Sequence, residues 1–154
     1  MRIVITLPDE RKRVQPFDRA QYGALMIVSD DETPVLGPVA CLGKGGRSKT
    51  ALSGNWKLKG MDTPTGEYQG TLAAWTPEET YGPHRVLKLD AVAGNALEAE
   101  KLGRSGLAIH GGRDQSILWS TEGCVRVFDR DMFKINEFMN KKKLTQIKVE
   151  VKES

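Results

Sequence analysis

The sequence predicts a mainly antiparallel β domain with two helical segments, and three observations carry that expectation. Apolar runs are short and β-branched, which suits strands of ordinary length better than helices. Sixteen glycines and seven prolines fall mostly between those runs. Helical spacing of apolar residues occurs in two segments. At 154 residues and 17.0 kDa, the chain is long enough for one well-buried core and short for two, so residues 1–154 are expected to form a single domain.

Taken in order, the expected strands are 2–7 (RIVITL), 23–28 (GALMIV), 35–42, 66–74, 85–89, 107–109 and 145–151, paired mainly antiparallel. Residues 95–102 (NALEAEKL) are good helix formers, with Asn95 available as N-cap and Gly103 as the stop. Residues 129–140 (DRDMFKINEFMN) repeat Met132, Phe133, Ile135, Phe138 and Met139 on one face behind an acidic first turn, the pattern of an amphipathic helix. Residues 43–65 are a long stretch rich in Gly, Lys and Ser, and loops beyond about 12–15 residues in a compact domain are usually functional or disordered. Its GKGGRSKT lacks the spacing of a phosphate-binding loop.

Composition excludes several classes. The net charge of +3 is mild and the basic residues are spread along the chain, so no broad nucleic-acid footprint is present. Lys141, Lys142 and Lys143 follow the amphipathic segment, where cations complement a helix C-terminus. No apolar run reaches the roughly 20 residues that cross a bilayer. The opening MRIVITLPDERKRV lacks a signal-peptide layout, so no membrane span and no export signal within this chain are expected. Two cysteines make no disulfide framework, and two histidines with two cysteines lack the paired spacing of structural zinc sites.

The chemistry concentrates in 109–127, IHGGRDQSILWSTEGCVRV, where His110 and Cys124 lie 14 positions apart (124 − 110 = 14), each beside glycine. A nucleophilic cysteine must ionise, and a histidine that accepts its proton lowers the cost. Gly123 keeps the approach to the thiol free of a side chain, and the Gly123 and Cys124 amides are the expected oxyanion donors. Arg126 shares the face of Cys124 in an extended backbone, where it can pair with a substrate carboxylate. By base rate, a cysteine between glycine and valine is more often a small buried hydrophobe, and a histidine beside glycine is more often a turn residue; residue chemistry alone leaves both readings open.

IHGG followed by STEGCVRV resembles the active-site signature of the L,D-transpeptidase catalytic domain (YkuD-type) family, His-Gly and then Ser/Thr-x-Gly-Cys-x-Arg. DTPTGEY (62–68) resembles that family's Thr-Pro-x-Gly element, YGPHRVLKL and GRSGLAIHGG its strands before the histidine, and Cys41-Leu42-Gly43-Lys44 its Gly-Lys at a strand end. The resemblance is strongest over 23–140. It implies a YkuD-like β-sandwich acting on peptidoglycan stem peptides without a cofactor. The Cys thiolate attacks the carbonyl of the third residue of a tetrapeptide, D-Ala leaves, and the thioester passes to an amine (transpeptidase) or to water (carboxypeptidase).

Carried onto this sequence, the resemblance makes Cys124 the nucleophile, His110 its base and later proton donor, and Gly111 the source of a carbonyl orienting His110. Gly123 and Cys124 supply the oxyanion amides, and Arg126 binds substrate carboxylate or holds the loop. Thr121 and Trp56 are the further candidates for substrate contact. Trp119 is expected in the core, and His84, the rival base, as a packing residue.

Two departures stand out: the His110-to-Thr121 interval is short, and Glu122 occupies a place where relatives carry His or Gln. A carboxylate turned inward there would raise the thiol pKa, so Glu122 is expected to face solvent. The expected place of action is the periplasm or cell wall, reached through a removed signal or specialised delivery, with a cytoplasmic role on wall precursors otherwise. A delivered toxin would need a cognate inhibitor protein in the producing cell. The competing functions are a catalytically weak peptidoglycan-binding module and a thiol hydrolase on another amide.

Overall fold

In a computed structural model, residues 1–8, 21–43, 45, 55–57, 60–74 and 77–154 are described. Most of the 43–65 stretch and Trp75 lie outside them. The strands are β1 (Arg2–Leu7), β2 (Gly23–Val28), β3 (Pro34–Leu42), β4 (Gly66–Leu72), β5 (Leu87–Ala93), β6 (Ala108–His110), β7 (Val125–Val127) and β8 (Gln146–Glu153), with helices α1 (Asn95–Lys101) and α2 (Asp129–Lys141). They close one sheet in the order β1-β2-β3-β7-β6-β5-β4-β8. The mainly β, sandwich-like fold expected from the sequence is therefore present, with its sheet closed on itself, which removes unpaired edges. β1 with β8 and β6 with β7 pair in parallel, and the other neighbours are antiparallel.

Alternation sets the inside of the barrel. In β8 (QIKVEVKE), Ile147, Val149 and Val151 are buried while the intervening residues are less so. Register places Val149 beside Ile3 on one edge and Tyr68 on the other. Ile3, Ile5, Leu25, Ile27, Leu87, Ile109, Val125 and Val127 fill the same core. α2 closes over it with Met132, Ile135 and Met139. Phe133 turns away, 47% exposed, and its ring packs on His84 at 5.5 Å. Asn136, on the buried side, accepts from Arg85 N and donates to Arg85 O, both at 3.0 Å, fastening α2 to the approach of β5.

Three expectations need correction. β5 runs Leu87–Ala93 rather than 85–89, because Asp90, Ala91 and Ala93 continue the ladder against Gln69, Tyr68 and Glu67. β7 lies in a segment not expected to form a strand. The N-cap of α1 is Gly94 with no side-chain cap; Asn95 is the first helical residue, and its amide donates to Thr65 Oγ1 at 2.9 Å. Gly103 follows the helix at φ +96, the left-handed stop that glycine supplies readily.

Candidate active site

β6 ends at His110 and β7 begins immediately after Cys124, so the parallel pair brings together two residues far apart in sequence. Their register pairs Ile109 with Val125 and His110 with Arg126. Register partners point to the same face of a sheet, as do residues i and i+2. His110, Arg126 and Cys124 consequently line one cavity of about 410 Å³, together with Tyr81, Arg104, Arg113, Thr121 and Glu122.

His110 is 1% exposed. Its Nδ1 lies 2.7 Å from the Gly111 carbonyl oxygen, an acceptor only, so Nδ1 carries the proton and Nε2 is the basic nitrogen. Burial lowers the His110 pKa to about 4, against the Gly111 hydrogen bond and with help from the Arg126 charge; the imidazole is neutral near pH 7. The turn after it is held by Asp129 at the start of α2, whose Oδ1 accepts from Gly112 N at 2.7 Å. A Cβ on Gly111 would sit 2.2 Å from that oxygen, so the His-Gly pairing has a steric cause. The Tyr81 ring stands edge-on to His110, with centroids 4.9 Å apart.

Burial is also the first influence on Cys124, and it raises the thiol pKa above the ordinary value. The Ala108 backbone and the charges of Arg126 and Arg104 oppose that rise, and Glu122 adds a little to it. Sγ is 3.7 Å from Gly106 O. Among the described residues no hydrogen bond joins it to His110, so the arrangement is a neutral thiol and a neutral imidazole facing one cavity.

The Cys124 loop is clamped by polar side chains. Thr121 Oγ1 donates to Cys124 O at 2.8 Å and accepts from Gly123 N at 3.0 Å. Thr63, from the DTPTGEY element, donates to Gly123 O at 2.5 Å. Arg126, 2% exposed, donates to the carbonyls of Trp119, Ser120 and Thr80 at 3.1 to 3.3 Å. Those bonds match the loop-holding alternative for this arginine, and burial lowers its pKa to about 10.

Sequence reasoning missed Arg104. It is 5% exposed and donates to the carbonyls of Trp56, Asp62, Met61 and Glu122 at 2.6 to 3.3 Å. Its guanidinium occupies the space where a Gly123 side chain would be, 2.0 Å from an ideal Cβ, and Gly123 has φ +121. Gly123 is therefore glycine to admit Arg104 behind the loop, rather than to clear the approach of a substrate. Nothing in GRSG marks its arginine as buried, so no signal in the sequence could have found it. Thr63 lies within DTPTGEY, where nothing local shows that its hydroxyl reaches the Gly123 carbonyl 60 positions away.

The remaining candidates divide. Trp56, in a single 3-10 turn (Asn55–Lys57), does not line the cavity; its carbonyl meets Arg104 from behind the loop. Glu122 is exposed and lies at the cavity wall. His84 packs on Phe133 and is absent from that wall. The Gly123 amide is engaged by Thr121, which leaves the Cys124 amide as the better placed of the two oxyanion candidates. No cluster of metal-ligating side chains occurs among the described residues.

The L,D-transpeptidase catalytic domain family (YkuD) matches residues 17–151. The chain belongs to this family. No curated protein matches the sequence. Among solved structures, that of Bdellovibrio bacteriovorus Bd1075 is similar at 15% identity and a TM-score of 0.55, over 97% of this chain and 47% of that one. At that identity the likeness is one of fold, and this chain spans about half the length of the similar structure. The matched region, residues 17–151, takes in both His110 and Cys124. No described helix is long and apolar enough to cross a membrane.

Proposed function

We propose that this YkuD domain is a cysteine acyltransferase that removes the terminal D-Ala of a peptidoglycan stem tetrapeptide. The observation that carries the reading is the shared cavity of His110 and Cys124, with Gly111 O holding Nδ1 so that Nε2 is the free base. In the first step the Cys124 sulfur attacks the carbonyl carbon of the third residue while Nε2 takes the thiol proton. Transfer at the moment of attack suits a neutral pair better than a preformed ion pair, since burial disfavours both charged forms. The Cys124 amide faces the developing oxyanion.

Nε2 then gives the proton to the departing D-Ala amine, leaving a thioester on Cys124. An incoming amine or water, deprotonated by the same nitrogen, breaks the thioester and restores the thiol. Arg104 and Arg126 act by fixing the loop on both sides of Gly123-Cys124, and Thr121 by fixing its turn. The site of action under this reading is the cell wall.

A second reading, a peptidoglycan-binding module with weak catalysis, is favoured by the raised Cys124 pKa and by its contact to Gly106 rather than His110. One experiment separates them: the protein and Cys124→Ala are incubated with diaminopimelate-containing tetrapeptide, with and without a D-amino acid, and followed by mass spectrometry. Cys124-dependent loss of D-Ala is expected, with exchange marking a transpeptidase and trimming a carboxypeptidase. Binding without turnover by the unaltered protein would favour the module instead.

A further inference from the structure

Three arginines line the cavity, and they are not equivalent. Arg104 and Arg126 direct their guanidinium donors at backbone carbonyls. Arg113 also lines the cavity and is exposed; among the described residues no hydrogen bond or ion pair engages its side chain. Its backbone, however, is fixed. Arg113 N donates to Glu79 O at 2.9 Å, and its carbonyl accepts from Gln115 Nε2 at 2.9 Å. It holds φ +64, a left-handed conformation that disfavours a long side chain and persists where surrounding bonds impose it. An unpaired cation on a strained, pinned backbone at the rim of a reaction cavity points to a ligand.

Its position decides which ligand atom. Arg113 follows His110 by three residues (113 − 110 = 3), lines the same cavity, and its charge reaches Arg126, the register partner of His110. The leaving amine must reach His110 Nε2 to take its proton. In an amino acid the carboxylate carbon lies only two bonds, about 2.5 Å, from that nitrogen, so the leaving residue's carboxylate is delivered to the His110 end of the cavity. A guanidinium pairs with a carboxylate in bidentate fashion. Arg113 also repels Arg126, and an anion seated beside it relieves that repulsion.

We propose that Arg113 binds the α-carboxylate of the leaving amino acid. The inference rests on the acyltransferase reading above and assigns that site's leaving-group subsite. Glu78, Glu79, Asp114 and Asp129 line a neighbouring cavity that Arg113 also borders. Those carboxylates disfavour an anion in that neighbouring cavity.

The test compares kcat/KM on two tetrapeptides, identical except for a C-terminal carboxylate or carboxamide, for the unaltered protein, Arg113→Gln and Arg113→Lys. A charge-assisted pair predicts a loss of about tenfold to 100-fold for the unaltered protein on the carboxamide. Arg113→Gln should lose the same factor on the carboxylate peptide and nothing further on the carboxamide, while Arg113→Lys recovers part. Equal slowing of both peptides by Arg113→Gln, or none, overturns the inference and leaves the acyltransferase reading standing. If the unaltered protein turns over neither peptide, both fall together.

Discussion

The barrel half built from β1, β2 and β8 and the loop that carries Cys124 are held by opposite means. The first is apolar: Ile3, Ile5, Leu25, Ile27, Ile147, Val149 and Val151 pack against one another in strands whose backbones pair with each other. The loop has almost no apolar anchorage of its own. It is fixed by Thr63, Thr121, Arg104 and Arg126, whose side chains replace the backbone partners a ladder would supply. Apolar packing tolerates change in proportion to volume lost, whereas a polar clamp fails by leaving buried carbonyls unsatisfied. The apolar half therefore bears mainly on stability, and the clamp on stability and reactivity together.

Replacing one residue on each side tests that contrast most strongly. Ile27→Ala deletes a fully buried side chain and should cost about 2–5 kcal/mol, while turnover per folded molecule stays unchanged. Arg104→Ala leaves the buried carbonyl of Asp62 and the partly buried carbonyl of Glu122 without this donor and opens the space behind Gly123. It should cost at least about 2 kcal/mol, at about 1–3 kcal/mol per stranded group, and lower kcat at least about tenfold at temperatures where the variant remains folded. Arg104→Lys should recover little, because a point charge cannot span several carbonyls. Denaturant unfolding with single-turnover kinetics reads both effects, and an Arg104 variant with undiminished kcat would erase the distinction.

Acid provides the next test, because His110, at the end of β6 beside the Cys124 loop, is a buried titratable group and the apolar packing of β1, β2 and β8 contains none. The folded pKa of His110, about 4, lies below its ordinary 6.5, so on acidification the unfolded chain takes up the proton first. The stability is thus complete above about pH 6.5 and is lost as pH falls toward 4, by about 3 kcal/mol for a shift of this size. His110→Gln should flatten the stability profile across that window, and Ile27→Ala should shift the profile without changing its slope. The exposed carboxylates Asp30, Asp31, Glu32 and Asp114 also have lowered pKa values, but they remain in the variant and cancel in the difference. An unchanged slope in His110→Gln would mean that the imidazole is hydrated.

The same contrast governs what the sequence could reveal. β1 and β2 were legible to the residue, because short continuous apolar runs bounded by turn residues report burial directly. β7 was not: VRV is three residues with a charge at its centre, and the Thr80 and 119–120 carbonyls that bury Arg126 come from elsewhere in the chain. His110 and Cys124 could be named from their glycine neighbours and the motif. Their shared cavity is a product of the parallel β6-β7 register, which no local pattern encodes. Arg104 was invisible for the same reason, since its partners at 56, 61, 62 and 122 are all distant in sequence.

Glu122 sets the smallest expected effect, and it asks how much of the loop's electrostatics reaches the thiol. The side chain is exposed and its charge is the least of the influences on Cys124, behind burial, the Ala108 backbone and both arginines. Solvent screens such a charge strongly, so Glu122→Gln should move the thiol pKa downward by less than the removal of Arg126 or Arg104 moves it upward. The pH dependence of Cys124 alkylation by iodoacetamide measures all three. A drop in Glu122→Gln that carried the thiol into the neutral range would show the carboxylate turned inward against Sγ, and would make Glu122, rather than burial, the main restraint on ionisation of the Cys124 thiol.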